Sequence, residues 1–281
     1  MKKILLLAGI AFTAFSQAQV VKMPAPSSTQ TISQDFGSGK IELTYSRPNI
    51  KERSLLKVNS DLAPLDKLWR LGANAATRIK FTDNVTMGGK LLDTGSYVIY
   101  AIPGKEYWDI ILNKGLTNWG TDGYKESEDV VHIKVKPQKI NISVETLTMI
   151  FGDILPESCN LTILWGTTAV IVPISTNIRT RLRAQIEKDL SADNVKPAVY
   201  QSAANFYLEW DKDLVKALAN AKKATAANPK AFYLYLLQAK IEKEAGDKMA
   251  AKISAQKCIE LATIAKNDDY VKQATDLINK L

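Results

Sequence analysis

The sequence predicts a two-domain β + α protein, an antiparallel β-sandwich followed by a domain of α-helical hairpins. Three observations carry that prediction. Between residues 40 and 173, short runs rich in Val, Ile, Thr and aromatic residues recur between turn residues. No helical stretch of about 10 to 15 residues separates them, which disfavours a parallel βαβ sheet. After Pro173 the apolar period lengthens to that of helices, and breakers fall where helix turns belong.

Ahead of both domains, Met1-Lys2-Lys3 is a basic start, residues 4–15 are apolar, and Ser16-Gln17-Ala18 is a small-x-small cleavage site. The apolar run is short of the roughly 20 residues that span a bilayer. The expectation is an exported protein, periplasmic or extracellular, with its signal peptide (1–18) cleaved after Ala18 and no transmembrane anchor. No cysteine lies near the cleavage point, so no lipid attachment is expected there. Residues 19–36 are an N-terminal segment containing Pro24 and Pro26.

The β-domain is expected over residues 37–174. Residues 40–45 alternate apolar Ile41, Leu43 and Tyr45 with polar neighbours, the pattern of a half-buried strand. Residues 78–87 run into Gly88-Gly89, 90–92 into Asp93-Thr94-Gly95, and 97–102 into Pro103-Gly104, strand and turn repeated three times. Residues 107–112, 130–136, 141–151, 161–165 and 168–172 complete about nine strands, the regular spacing of a sandwich or barrel.

The helical domain is expected over residues 175–281, in six stretches: 175–190, 196–209, 211–226, 230–245, 247–264 and 268–280. Asp193-Asn194 with Pro197, Asn228-Pro229 and Gly246-Asp247 divide them. Small residues recur about 34 positions apart, as Ala217 with Ala251, Ala224 with Cys258, and Ala204 with Ala239. This resembles the tetratricopeptide repeat, with small residues where paired helices cross closely. The second repeat lacks the exit proline, and Asn205 stands where a small residue belongs, so two degenerate repeats with flanking helices are expected. A plain helical bundle is the alternative.

Composition narrows function. The formal charge of +8 includes Lys2 and Lys3, and the mature chain keeps +6. The densest basic cluster is Arg179, Arg181 and Arg183, with no block of five or six like charges, so nucleic acid is not an expected partner. Two cysteines, Cys159 and Cys258, fall one in each domain, either bridged or packed as buried thiols. One histidine and two remote cysteines build no usual zinc site, and Asp122 and Asp129 match no calcium-loop spacing. Neither a metal nor a cofactor is expected. His132 lies between Val131 and Ile133 in a strand and is expected to face solvent, with no nucleophile motif to partner it.

The densest block of unusual residues runs from Trp69 to Thr77, reading Trp-Arg-Leu-Gly-Ala-Asn-Ala-Ala-Thr. Trp69, Arg70 and Asn74 offer a flat apolar face, a fork of donors and an amide within six residues. Arg47 and Arg53 lie upstream around Pro48 and, with Tyr97 and Trp108, complete a candidate ligand-binding set. The other reading is structural: Trp69 plugs the sandwich end, Gly72 supplies a positive φ, and Asn74 caps a turn. A second candidate loop, residues 113–129, carries Trp119 and Tyr124 in a polar stretch, suited to stacking on sugar rings or packed on itself. In the helical domain, Phe206, Tyr207, Trp210, Phe232, Tyr233 and Tyr235 form an aromatic stripe, either repeat core or a peptide groove.

The residues from Ser46-Arg47-Pro48 with Lys51 and Arg53, through Leu68 to Thr77, to Leu92–Pro103, Trp108 and Asn113 resemble the secreted bacterial family known as domain of unknown function 2911. The resemblance spans roughly residues 30–175. It implies an exported β-rich domain, sometimes followed by tetratricopeptide-like helices, with no established activity. Ala75 departs from the family's usual Glu, which weighs against a catalytic carboxylate at that position. No catalytic residue is assigned. The leading expectation is a non-catalytic binding or scaffolding protein of the cell envelope, its β-domain taking a small or glycan-like ligand and its helices a protein. The rivals are a carbohydrate-active hydrolase with unassigned carboxylates as acid and base, and a purely structural envelope protein.

Overall fold

A computed structural model describes residues 23–281, and the expected signal peptide lies outside them. The described chain forms two compact units. One comprises residues up to Asp35 with 39–154 and 159–174; the other comprises 175–281 with the short segments 36–38 and 155–158.

The first unit holds two sheets. Six strands, β1 (Ser28–Phe36), β2 (Gly39–Arg47), β3 (Thr77–Phe81), β6 (Gly95–Ile102), β7 (Trp108–Asn113) and β8 (Asp129–Val135), lie in that order. Four strands, β5 (Lys90–Leu92), β4 (Val85–Met87), β10 (Ser158–Ser175) and β9 (Gln138–Gly152), form the other. The β2–β3, β3–β6, β6–β7 and β7–β8 pairs run antiparallel, as do β4–β5 and β9–β10.

Alternation decides which side chains enter the core. Ile41, Leu43 and Tyr45 of β2 and Thr77, Ile79 and Phe81 of β3 are buried, whereas Arg78 and Lys80 between them are exposed. The two sheets meet through the Tyr45 hydroxyl, which accepts from Met149 N at 2.8 Å, and through Trp69, whose ring stacks on Trp165 at 5.5 Å. Strand β6 is buried on both faces. Val98 and Tyr100 cluster with Ala76 and Ile111 on the outer face, beneath Leu68, Ile102 and Tyr124. Half of the outer face of the six-stranded sheet is therefore covered, and this sets the shape of the candidate site.

Three details depart from the sequence pattern. The N-terminal segment contains a strand, β1, whose polar composition gave no apolar alternation and whose place is the sheet edge. The run 78–87 breaks at Thr82-Asp83-Asn84, where the Thr82 hydroxyl accepts from Lys40 N and the Asp83 carboxylate from Asn84 N, and β4 leaves for the second sheet. Residues 158–175 are one strand, interrupted only by two shifts in register, one on either side of Gly166, which sits at φ 54°.

The second unit contains six helices: α1 (Arg179–Leu190), α2 (Pro197–Phe206), α3 (Leu214–Ala227), α4 (Phe232–Glu244), α5 (Lys248–Ile264) and α6 (Asp268–Ile278). Asp213, Asp247 and Asn267 cap α3, α5 and α6 by accepting from the amides of Lys216, Ala250 and Tyr270. Helix α2 runs into a π turn at Tyr207–Asp211, and Lys212 at φ 56° ends it. Consecutive helices pack on one another, and the spaced small residues Ala204, Ala217, Ala224, Ala239, Ala251 and Cys258 are all buried. This supports the resemblance to tetratricopeptide repeats loosely, through the hairpins and their crossings. The aromatic stripe divides: Phe206 and Tyr207 are core, and Tyr233 is exposed. Cys159 and Cys258 are both free and buried. Among the described residues no helix is long and apolar enough to cross a membrane.

Candidate functional site

The block from Trp69 to Thr77 is a tightly knitted loop. Trp69 N donates to Ala101 O and Ala101 N to Trp69 O, the Thr77 hydroxyl donates to Leu71 O at 2.7 Å, and Thr77 N donates to Arg70 O. Leu71 and Asn74 take the left-handed region at φ 52° and 58°; Gly72 does not. Gly72 is required for a different reason, because a Cβ there would lie 2.9 Å from Ser46 O.

This loop turns Trp69 inward. Its indole is 4% exposed, stacked on Trp165, edge-on to Trp108 at 6.1 Å, and its Nε1 donates to Gly72 O. Trp69 and Trp108, expected at a ligand, are core residues: an indole at the meeting of two sheets gains more from burial and ring contacts than from water. Arg70 is half-buried, with its Nε buried and without an acceptor, and its Nη1 lies against Gly120. Asn74 stays exposed, and its amide donates to Ser27 O and to the Ser46 hydroxyl, both at 3.3 Å.

Three more of the expected residues serve the framework. Arg47 crosses to β9, its Nε donating to Leu147 O and its Nη2 to the Thr148 hydroxyl. Arg53 donates to Ile50 O and Asn49 O and closes its own loop. Tyr97 is buried against Phe81 and donates to Asp93 O. Each donates to backbone carbonyls of the framework, and none bonds Asn74.

What the structure does bring together is Asn74 and Trp119. The segment 114–128 lies over the outer face of β6 and β7, leaving the outer face of β1, β2 and β3 open. At the border, a cleft of about 310 Å³ is lined by Thr29, Thr44, Tyr45, Ser46, Asn74, Ala75, Ala76, Arg78 and Trp119. Trp119 is 65% exposed beside it. A second hollow across the same face shares Thr44 and Arg78 and adds Thr31, Glu42, Lys80 and Ser96. Hydroxyls pair between β1 and β2, Thr29 with Ser46 at 3.0 Å and Thr31 with Thr44 at 2.9 Å. The cleft beside Trp119 has no carboxylate in its lining.

The loop that carries Trp119 is held by a polar network. Tyr124 packs edge-on to Tyr100 at 5.2 Å and donates to Asp129 Oδ2 at 2.5 Å. Tyr124 is therefore an anchor and not an exposed stacking ring. Asn113 Nδ2 donates to Lys125 O and to Asp129 Oδ1. His132, exposed as its alternation predicts, bonds Asp109 through Nδ1 at 2.9 Å and Asp129 through Nε2 at 3.1 Å. The Asp109 hydrogen bond, reinforced by both carboxylate charges, raises the His132 pKa above its ordinary value against partial desolvation. Burial and then the bond to Asp129 push the Tyr124 phenol well above its usual range. Asp129 spends both oxygens in this network.

Thr29, Thr31, Ser46 and Arg78 were not singled out as site residues by sequence. The signal that could have found them is the polar half of an alternating strand, since Thr44 and Ser46 alternate with Leu43 and Tyr45.

Fold and site together define a two-sheet protein with a hydroxyl-rich, carboxylate-free cleft on one sheet face, joined to helical hairpins. The chain belongs to the family described as Protein of unknown function (DUF2911), whose model matches residues 27–174. That match covers the strands and stops where the helices begin. No curated protein matches the chain, and no solved structure does.

Proposed function

We propose that this is an exported, non-catalytic binding protein of the cell envelope, whose β-domain takes a glycan-like ligand in the cleft between Asn74 and Trp119. The observation that carries the reading is the cleft's lining: an exposed indole beside Thr, Ser and Asn side chains, and no carboxylate. Sugar rings pair an apolar face with a rim of hydroxyls, and such a surface meets both. Most glycoside hydrolases use two carboxyl groups flanking the bond. The close pair on this sheet, Asp109 and Asp129, is occupied on either side of the His132 ring. The helical unit supplies the surface for a protein partner, for which a groove of about 440 Å³ lined from the π turn, α4 and α6 is the natural place. Export rests on the basic and apolar N-terminus with its small-x-small site.

The test is thermal unfolding of the chain from Gln19 onward with a panel of envelope glycans and oligosaccharides, beside Trp119→Ala. A ligand at 100 times its Kd adds about 2.7 kcal/mol to the native state. A shift with a glycan class that Trp119→Ala abolishes is the expected result. A shift equally large in Trp119→Ala places the ligand elsewhere and removes the proposal.

A further inference from the structure

Resting on the reading above, the geometry points to a narrower ligand class: we propose that the cleft binds an anionic sugar, a hydroxylated ring bearing a carboxylate or ester sulfate, read by Arg78 while the ring stacks on Trp119.

Arg78 lies on the open face of β3 and lines both hollows there. Its guanidinium makes one hydrogen bond, from Nη2 to the carbonyl oxygen of Leu116 at 2.6 Å, and among the described residues it has no carboxylate partner. A carbonyl holds the fork in place without neutralising its charge. The nearest charged pair on this face is Lys80 with Glu42 at 3.7 Å, so that acid already has a cation. Asp122, close to Trp119 in sequence, is exposed and is not part of the cleft lining.

A second arginine repeats the pattern. Arg70 has no ion pair among the described residues, its Nε is buried without an acceptor, and its Nη1 lies against Gly120, the neighbour of Trp119. One exposed arginine is merely solvated and carries nothing. Both guanidinium groups touch the Trp-bearing loop; Arg70, with its buried unmet donor, stays outside the cleft lining, and Arg78 is the one charged side chain in that lining, so the cleft itself is positively charged. A guanidinium fork matches a planar carboxylate or a sulfate through paired N–H donors. The neighbouring Thr29, Thr44, Ser46 and Asn74 offer donors and acceptors of the kind ring hydroxyls need. The charge thus chooses among hydroxylated ligands.

The experiment measures binding of three matched probe pairs to the chain from Gln19 onward: oligogalacturonate and its methyl ester, a hyaluronan oligosaccharide and its carboxyl-reduced form, dextran sulfate and dextran. The expected result is that at least one charged member binds and its neutral counterpart binds roughly ten- to a hundredfold more weakly, the effect of one hydrogen-bonded charge. Arg78→Gln should bring the charged probe down to the neutral level, and Arg78→Lys should recover part of the loss. Arg78→Lys keeps the charge on a long side chain, so the comparison survives if the Gln variant folds poorly. Whether the carboxylate or the sulfate pair responds identifies the source of the anion. Equal binding of both members of every pair that binds, or a folded Arg78→Gln that holds the charged probe as wild type does, overturns the anionic reading and leaves the glycan reading standing. Charged-probe binding that persists in Trp119→Ala overturns it as non-specific ion attraction. No binding of any of the six probes overturns the anionic reading, and the glycan reading is then decided by the unfolding shift with the wider glycan panel.

Discussion

Replacing Trp69 and Trp119 by alanine, one at a time, separates the core tryptophan from the surface one. Trp69 is 4% exposed and Trp119 65%. Trp69→Ala empties a site flanked by Trp165 and Trp108 and leaves the Gly72 carbonyl without the indole N–H. Tryptophan-to-alanine changes in cores cost about 3–5 kcal/mol, and loss of the Trp165 stack places this one near the middle of that range or above. With a urea dependence of about 2 kcal/mol per molar, a loss of about 4 kcal/mol lowers the midpoint of β-domain unfolding by about 2 M. Trp119→Ala removes an exposed ring, and such changes stay within about 0.5 kcal/mol, a midpoint change of about 0.25 M. The assay is urea unfolding followed by far-ultraviolet circular dichroism at the β-sheet band. A Trp69→Ala midpoint within about 0.5 M of wild type would refute the assignment of this indole to the core, and with it the relocation of the site to Trp119.

Three further outcomes are expected. His132 has a folded pKa above its unfolded value of 6.5, so its bonds to Asp109 and Asp129 stabilise the fold fully below about pH 6.5 and the contribution fades as pH rises through the folded pKa. The urea midpoints of wild type and His132→Gln should therefore differ most in mildly acidic buffer and converge in alkali; a gap that widens with pH contradicts the network. Gly120→Ala places a Cβ at φ 65°, 2.6 Å from Arg70 Nη1; the flexible arginine can move, but left-handed strain of about 1–2 kcal/mol remains, and the melting temperature should fall by roughly 4 °C. Cys159, whose thiol pKa burial pushes up to about 11, and the equally buried Cys258 should resist a thiol reagent in the native protein and both react in denaturant; one fast native thiol would contradict their burial.

Much of the architecture was legible because it follows from period and punctuation. Gly246-Asp247 and Asn228-Pro229 mark the gaps before α5 and α4, and strict alternation identified the inward face of β2. The edge strand β1 was not legible, since Ser28–Phe36 carries few apolar residues, even though its partner β2 follows directly after the turn at Gly37-Ser38. The unusual block at Trp69 was visible as a block but not as core, because a loop residue reaches Trp165 only through contacts nearly 100 positions apart. Asn74 and Trp119 were each noticed separately. Their meeting at one cleft depends on how the segment 114–128 lies across β6 and β7, which no spacing in the chain reports. His132 was expected in solvent, and it is; its two aspartates come from other positions of a three-dimensional network.

The hydroxyl pairs between β1 and β2 have no fixed direction. In Thr29 with Ser46 and Thr31 with Thr44, either oxygen can be the donor, and Ser46 accepts from the Asn74 amide as well. Turning both hydrogens of a pair, one away and the other inward, reverses the polarity of that rung without moving a heavy atom. Under the proposed function, a ligand hydroxyl arriving as donor or as acceptor would meet a rung that can answer it, and this part of the sheet would register hydroxylation and not stereochemistry.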